Sequence, residues 1–292
     1  MATIRNKMVI SPLWLQVAIL TFLAGFAVLG YLALRIHREQ PPLPSQVLTE
    51  EGAPLFDQGD IMAGQHLFQK RGLMQFGSLF GHGAYLGPDF TAQYLHLAGT
   101  EMLAFHQGRG LSEDEAAGRV RRELKANAFD SETGLLTYTG GQAYAFDRLI
   151  AFYTDWFGPQ AQQDGLLRPH IADPQQIRKL TAYFSWAAWT TTATRPGTSH
   201  SYTNNWPPEP LAGNSLTAEA LLWSVLSLVA LLGGSGIVLF VFGRFDWLGW
   251  QRHVGPEDEI RRFRDPDKVR LSPSQRAMPW YFLVVAGLFL NT

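Results

Sequence analysis

The 292 residues contain no cysteine and eight histidines, at positions 37, 66, 82, 96, 106, 170, 200 and 253. Without cysteine there is no disulfide, no thiolate metal site, no iron–sulfur ligation and no C-x-x-C-H attachment of a c-type haem, so any metal must sit on oxygen or imidazole. Axial ligation of a haem inside a membrane requires imidazoles projecting from apolar helices. Every histidine here falls outside the apolar runs. No P-loop glycine-lysine pattern, H-E-x-x-H pair or G-x-S-x-G elbow occurs. Gly233, Gly234 and Gly236 lie within an apolar run and read as close helix packing, not as a phosphate cradle. The most distinctive cluster is Gly81-His-Gly-Ala-Tyr-Leu-Gly-Pro-Asp89, preceded by Asp60-Ile-Met-Ala-Gly-Gln-His-Leu-Phe-Gln69 and Leu73 to Gly77. Taken alone, its Tyr85 reads as a buried, hydrogen-bonded tyrosine beside a glycine turn and its His82 as a surface residue.

The elements that would position these residues begin with two apolar runs. Leu13 to Leu34 has no charge over 22 residues, about 33 Å as a helix, enough to cross about 30 Å of hydrocarbon. Ala220 to Phe242 is a second charge-free run of 23, with Trp223 near one end and Trp247 and Trp250 beyond the other, where an aromatic belt would lie. A third run, Trp280 to Leu290, is too short to span. The first run is longer than a signal-peptide core and passes into Arg35, His37, Arg38 and Pro41-Pro42, so it reads as an uncleaved anchor. Arg5 and Lys7 precede it, and Arg244, Arg252, Arg261, Arg262, Arg264, Lys268, Arg270 and Arg276 follow the second run, so both flanks read as cytoplasmic.

The expected organisation is a multi-pass protein of the inner membrane: a cytoplasmic N-terminus (1–12), a first span (13–34), an extracytoplasmic domain (35–217), a second span (218–242), a cytoplasmic loop (243–278) and the start of a third span (279–292). With 24 basic against 25 acidic residues and a net charge of −1, nothing marks a nucleic-acid surface.

The outer domain reads as small and α-helical, with no convincing period-two alternation. Helical spacing runs from Leu55 to Phe68. Ser112 to Glu115 forms a capping box ahead of Ala116 to Ala128. A helix carrying Tyr144, Leu149, Phe152, Tyr153 and Phe157 should end near Gly158-Pro159. Asp173 and Pro174 start another that runs toward Thr194, closed by Arg195-Pro196-Gly197. On that helix Tyr183, Trp186 and Trp189 read as core, not as a quinone clamp. Asn204-Asn205-Trp206 reads as a turn whose asparagines satisfy their own backbone, and Glu219 as a helix cap more than part of a proton route.

The motifs from Asp60 to Asp89, together with Ser201-Tyr-Thr-Asn-Asn-Trp-Pro207 and Gly243-Arg-Phe-Asp-Trp-Leu-Gly249, resemble the quinol-dependent nitric oxide reductases. In these a single chain fuses an extracytoplasmic cytochrome-c-like domain to a many-helix catalytic core. The same segment is similar to the haem-bearing small subunit of the cytochrome-c-dependent relatives. Aligned through Gly83-Ala84-Tyr85, that subunit's two attachment cysteines and its ligating histidine fall on Leu73, Phe76 and Gly77, so the resemblance implies a cytochrome-c-like fold whose haem site is lost. It also implies a calcium ion shared with the catalytic core, held here by the Gly83 carbonyl and the Tyr85 phenolic oxygen, both hard donors suited to Ca²⁺. Haem b, haem b3 and a non-haem iron would belong to the complete enzyme and take no ligand from this chain.

The implied activity is reduction of two NO to N₂O and water with two electrons and two protons, at the expense of quinol oxidised in the core. Because the chain stops at Asn291-Thr292 within the third run, it reads as a truncated or split frame, inactive alone, whose partners are the remaining transmembrane core and membrane lipid. A stand-alone accessory subunit of a split reductase, or a membrane receptor with an outer sensing domain, are the other two readings.

Overall fold

The computed structural model describes residues 12–84, 86–158, 171–245, 280, 282 and 283. The chain divides into two compact units, Met1–Leu222 and Trp223–Thr292. In the first, α1 (Pro12–Glu39) leads into β1 (Gln46–Thr49), β2 (Pro54–Asp57), α2 (Gln58–Lys70), a 3-10 turn (Leu73–Gln75), α3 (Phe90–Gln107), α4 (Glu113–Lys125), β3 (Leu135–Tyr138), α5 (Gly140–Trp156) and α6 (Pro174–Thr192). The start of α7 (Ala218–Phe245) also belongs to it, and the rest of α7 lies in the second unit. The mainly helical chain carries two helices long and apolar enough to cross a membrane, Leu15–Glu39 and Ala218–Val241, neither with any buried residue in its most apolar window. The basic loop beyond Phe245, Arg5, Lys7, Trp247, Trp250, Tyr85, and all of the third apolar run except Trp280, Phe282 and Leu283 lie outside the described residues.

Side chains that satisfy exposed amides start the domain's helices. Asp57 and Asp60 form a capping box at α2, Ser112 and Glu115 at α4, and Thr139 and Gln142 at α5. Asp173 caps α6 by accepting the Gln175 amide, with Pro174 in the first turn. The signals at Ser112 and Asp173 are those the sequence displays.

The sequence reading needs three corrections. The domain is not purely helical: a small sheet in the order β2-β1-β3 pairs Gln46 with Asp57 and Val47 with Phe56 antiparallel, and Gln46 with Leu135 through Thr49 with Tyr138 parallel. Each strand has four residues, and β1 and β2 bury only Val47 and Phe56, too few for alternation to register. The helix expected from Leu55 starts at Gln58, because Pro54–Asp57 is committed to β2 and Asp57 is the cap. Helix α3 is not evident in the sequence. Its buried stripe of Phe90, Thr91, Tyr94, Leu95, Ala98, Gly99, Met102 and His106 has the helical period, but threonine, glycine and histidine dilute its apolar signal.

The core is aromatic. Phe90 stacks on Phe184 with ring centroids 4.8 Å apart and meets Phe68 edge-on at 6.0 Å, while Tyr153 lies edge-on to Phe184 at 5.1 Å. Helix α6 is buried along almost its whole C-terminal half. Tyr183 and Trp189 are buried in it, as the sequence implies, and half-buried Trp186 donates its indole N–H to the Pro42 carbonyl at 3.0 Å. Helix α2 crosses α6 at Gly64, where a Cβ would collide with the Lys179 carbonyl oxygen. Only glycine permits that approach.

Candidate functional site

Two of the segments that carry the resemblance, Leu79–Asp89 and Ser201–Pro207, meet in space. The first is a loop closed at its neck by one carboxylate. Asp89 Oδ1 accepts the Thr91 and Ala92 amides at 3.0 and 3.1 Å, capping α3, while Oδ2 accepts Ser78 Oγ at 2.7 Å and the Gly81 amide at 2.9 Å. Backbone bonds close the neck further: the Ser78 amide donates to the Pro88 carbonyl (3.0 Å) and the Phe90 amide to the Ser78 carbonyl (2.8 Å). Inside the loop Phe80, Gly81, Gly83 and Gly87 all have positive φ, between 52° and 85°, which explains its glycine content. At Gly87 a Cβ would collide with the Phe76 carbonyl oxygen. His82 and Gly83 are exposed, and nothing lies within 4 Å of a Cβ placed on Gly83. Tyr85 falls outside the described residues, so the chain's second expected calcium donor has no described position.

The second segment is a tight turn. Asn204 and Asn205 are both left-handed, with φ of 54° and 60°, and the Trp206–Pro207 bond is cis. Ser201 Oγ accepts the Asn205 amide at 2.8 Å, Asn205 Oδ1 accepts the Ser201 amide at 3.1 Å, and Thr203 Oγ1 donates to the Trp206 carbonyl at 2.6 Å. As the sequence suggests, Asn205 satisfies nearby backbone, but it also reaches further. The Lys125 ammonium donates to Asn205 Oδ1 (3.1 Å) and to Asn214 Oδ1 (2.5 Å), and Asn214 Nδ2 donates to the Thr191 and Pro207 carbonyls at 3.0 Å each. Burial pushes the Lys125 ammonium below its usual pKa. The Trp206 indole lies directly over Gly81, where a Cβ would stand 2.8 Å from Trp206 Cζ2. Sequence reasoning misses Lys125 altogether, since its partners are 80 and 89 residues away.

The positions aligned with the haem attachment site do not fit a covalently held haem. Leu73 is fully buried in the core, Phe76 is half-buried, and a Cβ on Gly77 would collide with the Phe90 ring and the Pro88 carbonyl oxygen. A histidine at 77 would have no room. The described cavity, lined among others by Tyr94, Tyr138, Ser185 and Trp189, holds about 30 Å³, far below the ~300 Å³ at which ligand pockets begin.

For calcium the fit is partial. Among the described residues no group of three or more His, Asp or Glu side chains could hold a metal, and Asp89 is committed to four protein donors. The Gly83 carbonyl and the Tyr85 hydroxyl would supply two of the roughly 6–8 oxygens the ion takes. The rest would have to come from another polypeptide or cofactor.

A second polar cluster, also without a sequence signal, joins α3, α4 and the start of α5. Buried Glu123 accepts Arg119 Nε at 2.7 Å and Thr139 Oγ1 at 2.8 Å, and lies 3.2 Å from Nε2 of buried His106. Burial alone would raise the Glu123 pKa. The hydrogen bonds from Arg119, Thr139 and His106 outweigh it and hold the carboxyl below its ordinary value. With its oxygens so occupied, this cluster locks packing and offers no open coordination site.

No curated protein matches the chain. The family described as the cytochrome c-like domain of the nitric oxide reductase NorB chain matches residues 44–208, from the strand before α2 through the Trp206-Pro207 turn, which is more than half of the chain. The helices, the loop hung from Asp89 and the turn packed on it all fall within that match, and the chain belongs to the NorB family of nitric oxide reductases.

Proposed function

We propose that this chain is the N-terminal, membrane-anchored part of a quinol-dependent nitric oxide reductase, in which a cytochrome-c-like domain without haem caps a catalytic core supplied by further transmembrane helices. On this reading 13–34 and 218–242 cross the cytoplasmic membrane, 35–217 lies outside it, and 243–278 returns to the cytoplasm. The observation that carries the reading is the pairing of the family match over 44–208 with a protein-filled haem position: no cysteine anywhere, Leu73 in the core and Gly77 pressed against Phe90. A donor that docks at a surface c-haem has nowhere on this domain to deliver electrons, so they enter from a reductant dissolved in the membrane.

Haems b and b3 and a non-haem iron, in the core, would supply the redox chemistry that joins two NO into N₂O and water. This chain's own work is mechanical and electrostatic. Helices α1 and α7 anchor it, and α3 with Asp89 presents the Gly83–Tyr85 loop, whose carbonyl and phenolic oxygens contribute to a calcium ion shared with the core. The test uses membranes carrying the complete enzyme, assayed for NO consumption with a quinol and, separately, with reduced cytochrome c. Turnover with quinol alone is expected. Equal turnover with cytochrome c, or haem covalently attached to this polypeptide, would overturn the proposal.

A further inference from the structure

We propose that Lys125 is a positioning residue that clamps the Ser201–Asn214 segment to α4, fixes the Trp206 indole over Gly81, and through it sets the shape of the Leu79–Pro88 loop. The clamp has two jaws. One ammonium holds the side-chain oxygen of Asn205, at the tip of the turn, and that of Asn214, at its base. Asn214 in turn holds the Pro207 carbonyl, so both sides of Trp206 are tied to the same lysine. Asn205 sits at φ 60°, a conformation a non-glycine residue keeps only when its surroundings impose it. The imposed contacts are those from Lys125 and Ser201.

Among the described residues Lys125 makes no ion pair. A half-buried ammonium held only by two amide oxygens is a poor way to gain stability, but it is a directional way to fix two distant loop positions at once. The backbone reinforces the jaw, because the Thr194 amide donates to the Lys125 carbonyl at 3.0 Å. At the far end of the relay the indole occupies the space a side chain at 81 would need, so a shift of Trp206 releases Gly81 and strains its amide bond to Asp89.

Any consequence for calcium rests on the function proposed above, whereas the clamp itself does not. The experiment is amide hydrogen exchange on the full chain in detergent, read at Phe80, Gly81 and His82, whose amides donate to Thr91 Oγ1, Asp89 Oδ2 and the Leu79 carbonyl. Lys125→Met keeps the methylene stem and is expected to speed exchange at these amides by about tenfold, the scale of one lost charge-assisted hydrogen bond, with α6 unchanged. Lys125→Arg restores a cation and should recover most of the protection. Trp206→Ala should loosen the same amides, and the double variant should add nothing to it. Unchanged exchange in Lys125→Met, or additive effects in the double variant, would overturn the clamp. If Lys125→Met does not fold, Asn205→Asp decides the matter: a carboxylate facing the ammonium should slow exchange at Gly81, and faster or unchanged exchange refutes the relay. In the complete enzyme, a loosened loop with undiminished bound calcium would support the clamp and count against the calcium reading.

Discussion

Replacing Gly77 with alanine puts a methyl group where two parts of the backbone already touch. A Cβ there would stand 2.5 Å from the Pro88 carbonyl oxygen and collide with the Phe90 ring, where ordinary contact is 3.4–4 Å. To admit it, the crossing of residues 76–78 over 88–90 must open by about 1 Å, beyond the reach of the Ser78–Pro88 and Phe90–Ser78 hydrogen bonds. Two such bonds contribute about 0.5–1.5 kcal/mol each, and overpacking a tight core costs about 1–3 kcal/mol. The sum is a loss of about 2–5 kcal/mol, or a fall in Tm of about 5–20 °C for a domain of this size. Gly83→Ala is the control: it has open space and a φ of 78°, so it incurs only backbone strain of about 1 kcal/mol, which an exposed loop can relax. Thermal unfolding of the full chain in detergent, followed by circular dichroism, should therefore rank Gly77→Ala well below Gly83→Ala. A Gly77→Ala protein melting within about 2 °C of the parent would show that this position is not closed by packing, and the argument against a histidine ligand there would fail with it.

Glu123, held below its ordinary carboxylate value, adds stability that is complete above the unfolded pKa of about 4.5 and is lost as pH falls through the lower folded value. Glu123→Gln should flatten this acid limb in melts recorded from pH 7 to pH 3 and cost about 2–3 kcal/mol at pH 7. Asp89→Asn keeps one oxygen to cap α3 but replaces the acceptor for Ser78 and Gly81 with a donor, so exchange at Gly81 should rise while the α3 amides stay protected. Equal loosening of both would show that the two oxygens do not divide their work. In the complete enzyme Tyr85→Phe should lower calcium content by metal analysis and disturb the haem spectra, and unchanged metal would remove Tyr85 from the ligand set.

What the sequence makes legible is local. Ser112 with Glu115 and Asp173 with Pro174 announce α4 and α6 because cap and helix are neighbours in the chain. The sheet escapes because strands of four residues with one or two buried positions have no period to read. Helix α3 escapes because Gly99 and His106 occupy buried positions, the first making room for Leu211 and the second bonded to Glu123. The candidate site divides the same way. Its glycines and Tyr85 stand out as a motif, whereas the Lys125 clamp spans 80 and 89 residues and exists only after folding. Alignment to a relative identifies Gly77 as a missing ligand position, and the structure adds why nothing larger is tolerated: Pro88 and Phe90 occupy the space.

Packing, not ligation, places the loop. A cytochrome c domain is ordinarily organised around its porphyrin, and a member of such a family without cysteine must fill that centre with side chains if the fold is to survive. Phe90 is the residue on which this turns. It stacks on Phe184, meets Phe68, closes over Gly77 and begins α3 directly after Asp89, the carboxylate from which the loop hangs. Core, helix start and loop neck are thus set by two consecutive residues, so the neck cannot shift without disturbing the aromatic core. The tip is under no such constraint at Gly83, where nothing comes within 4 Å. A rigid neck with an open tip suits a loop that completes a site on another surface: the domain fixes where the tip arrives, and the surface it meets selects its final conformation.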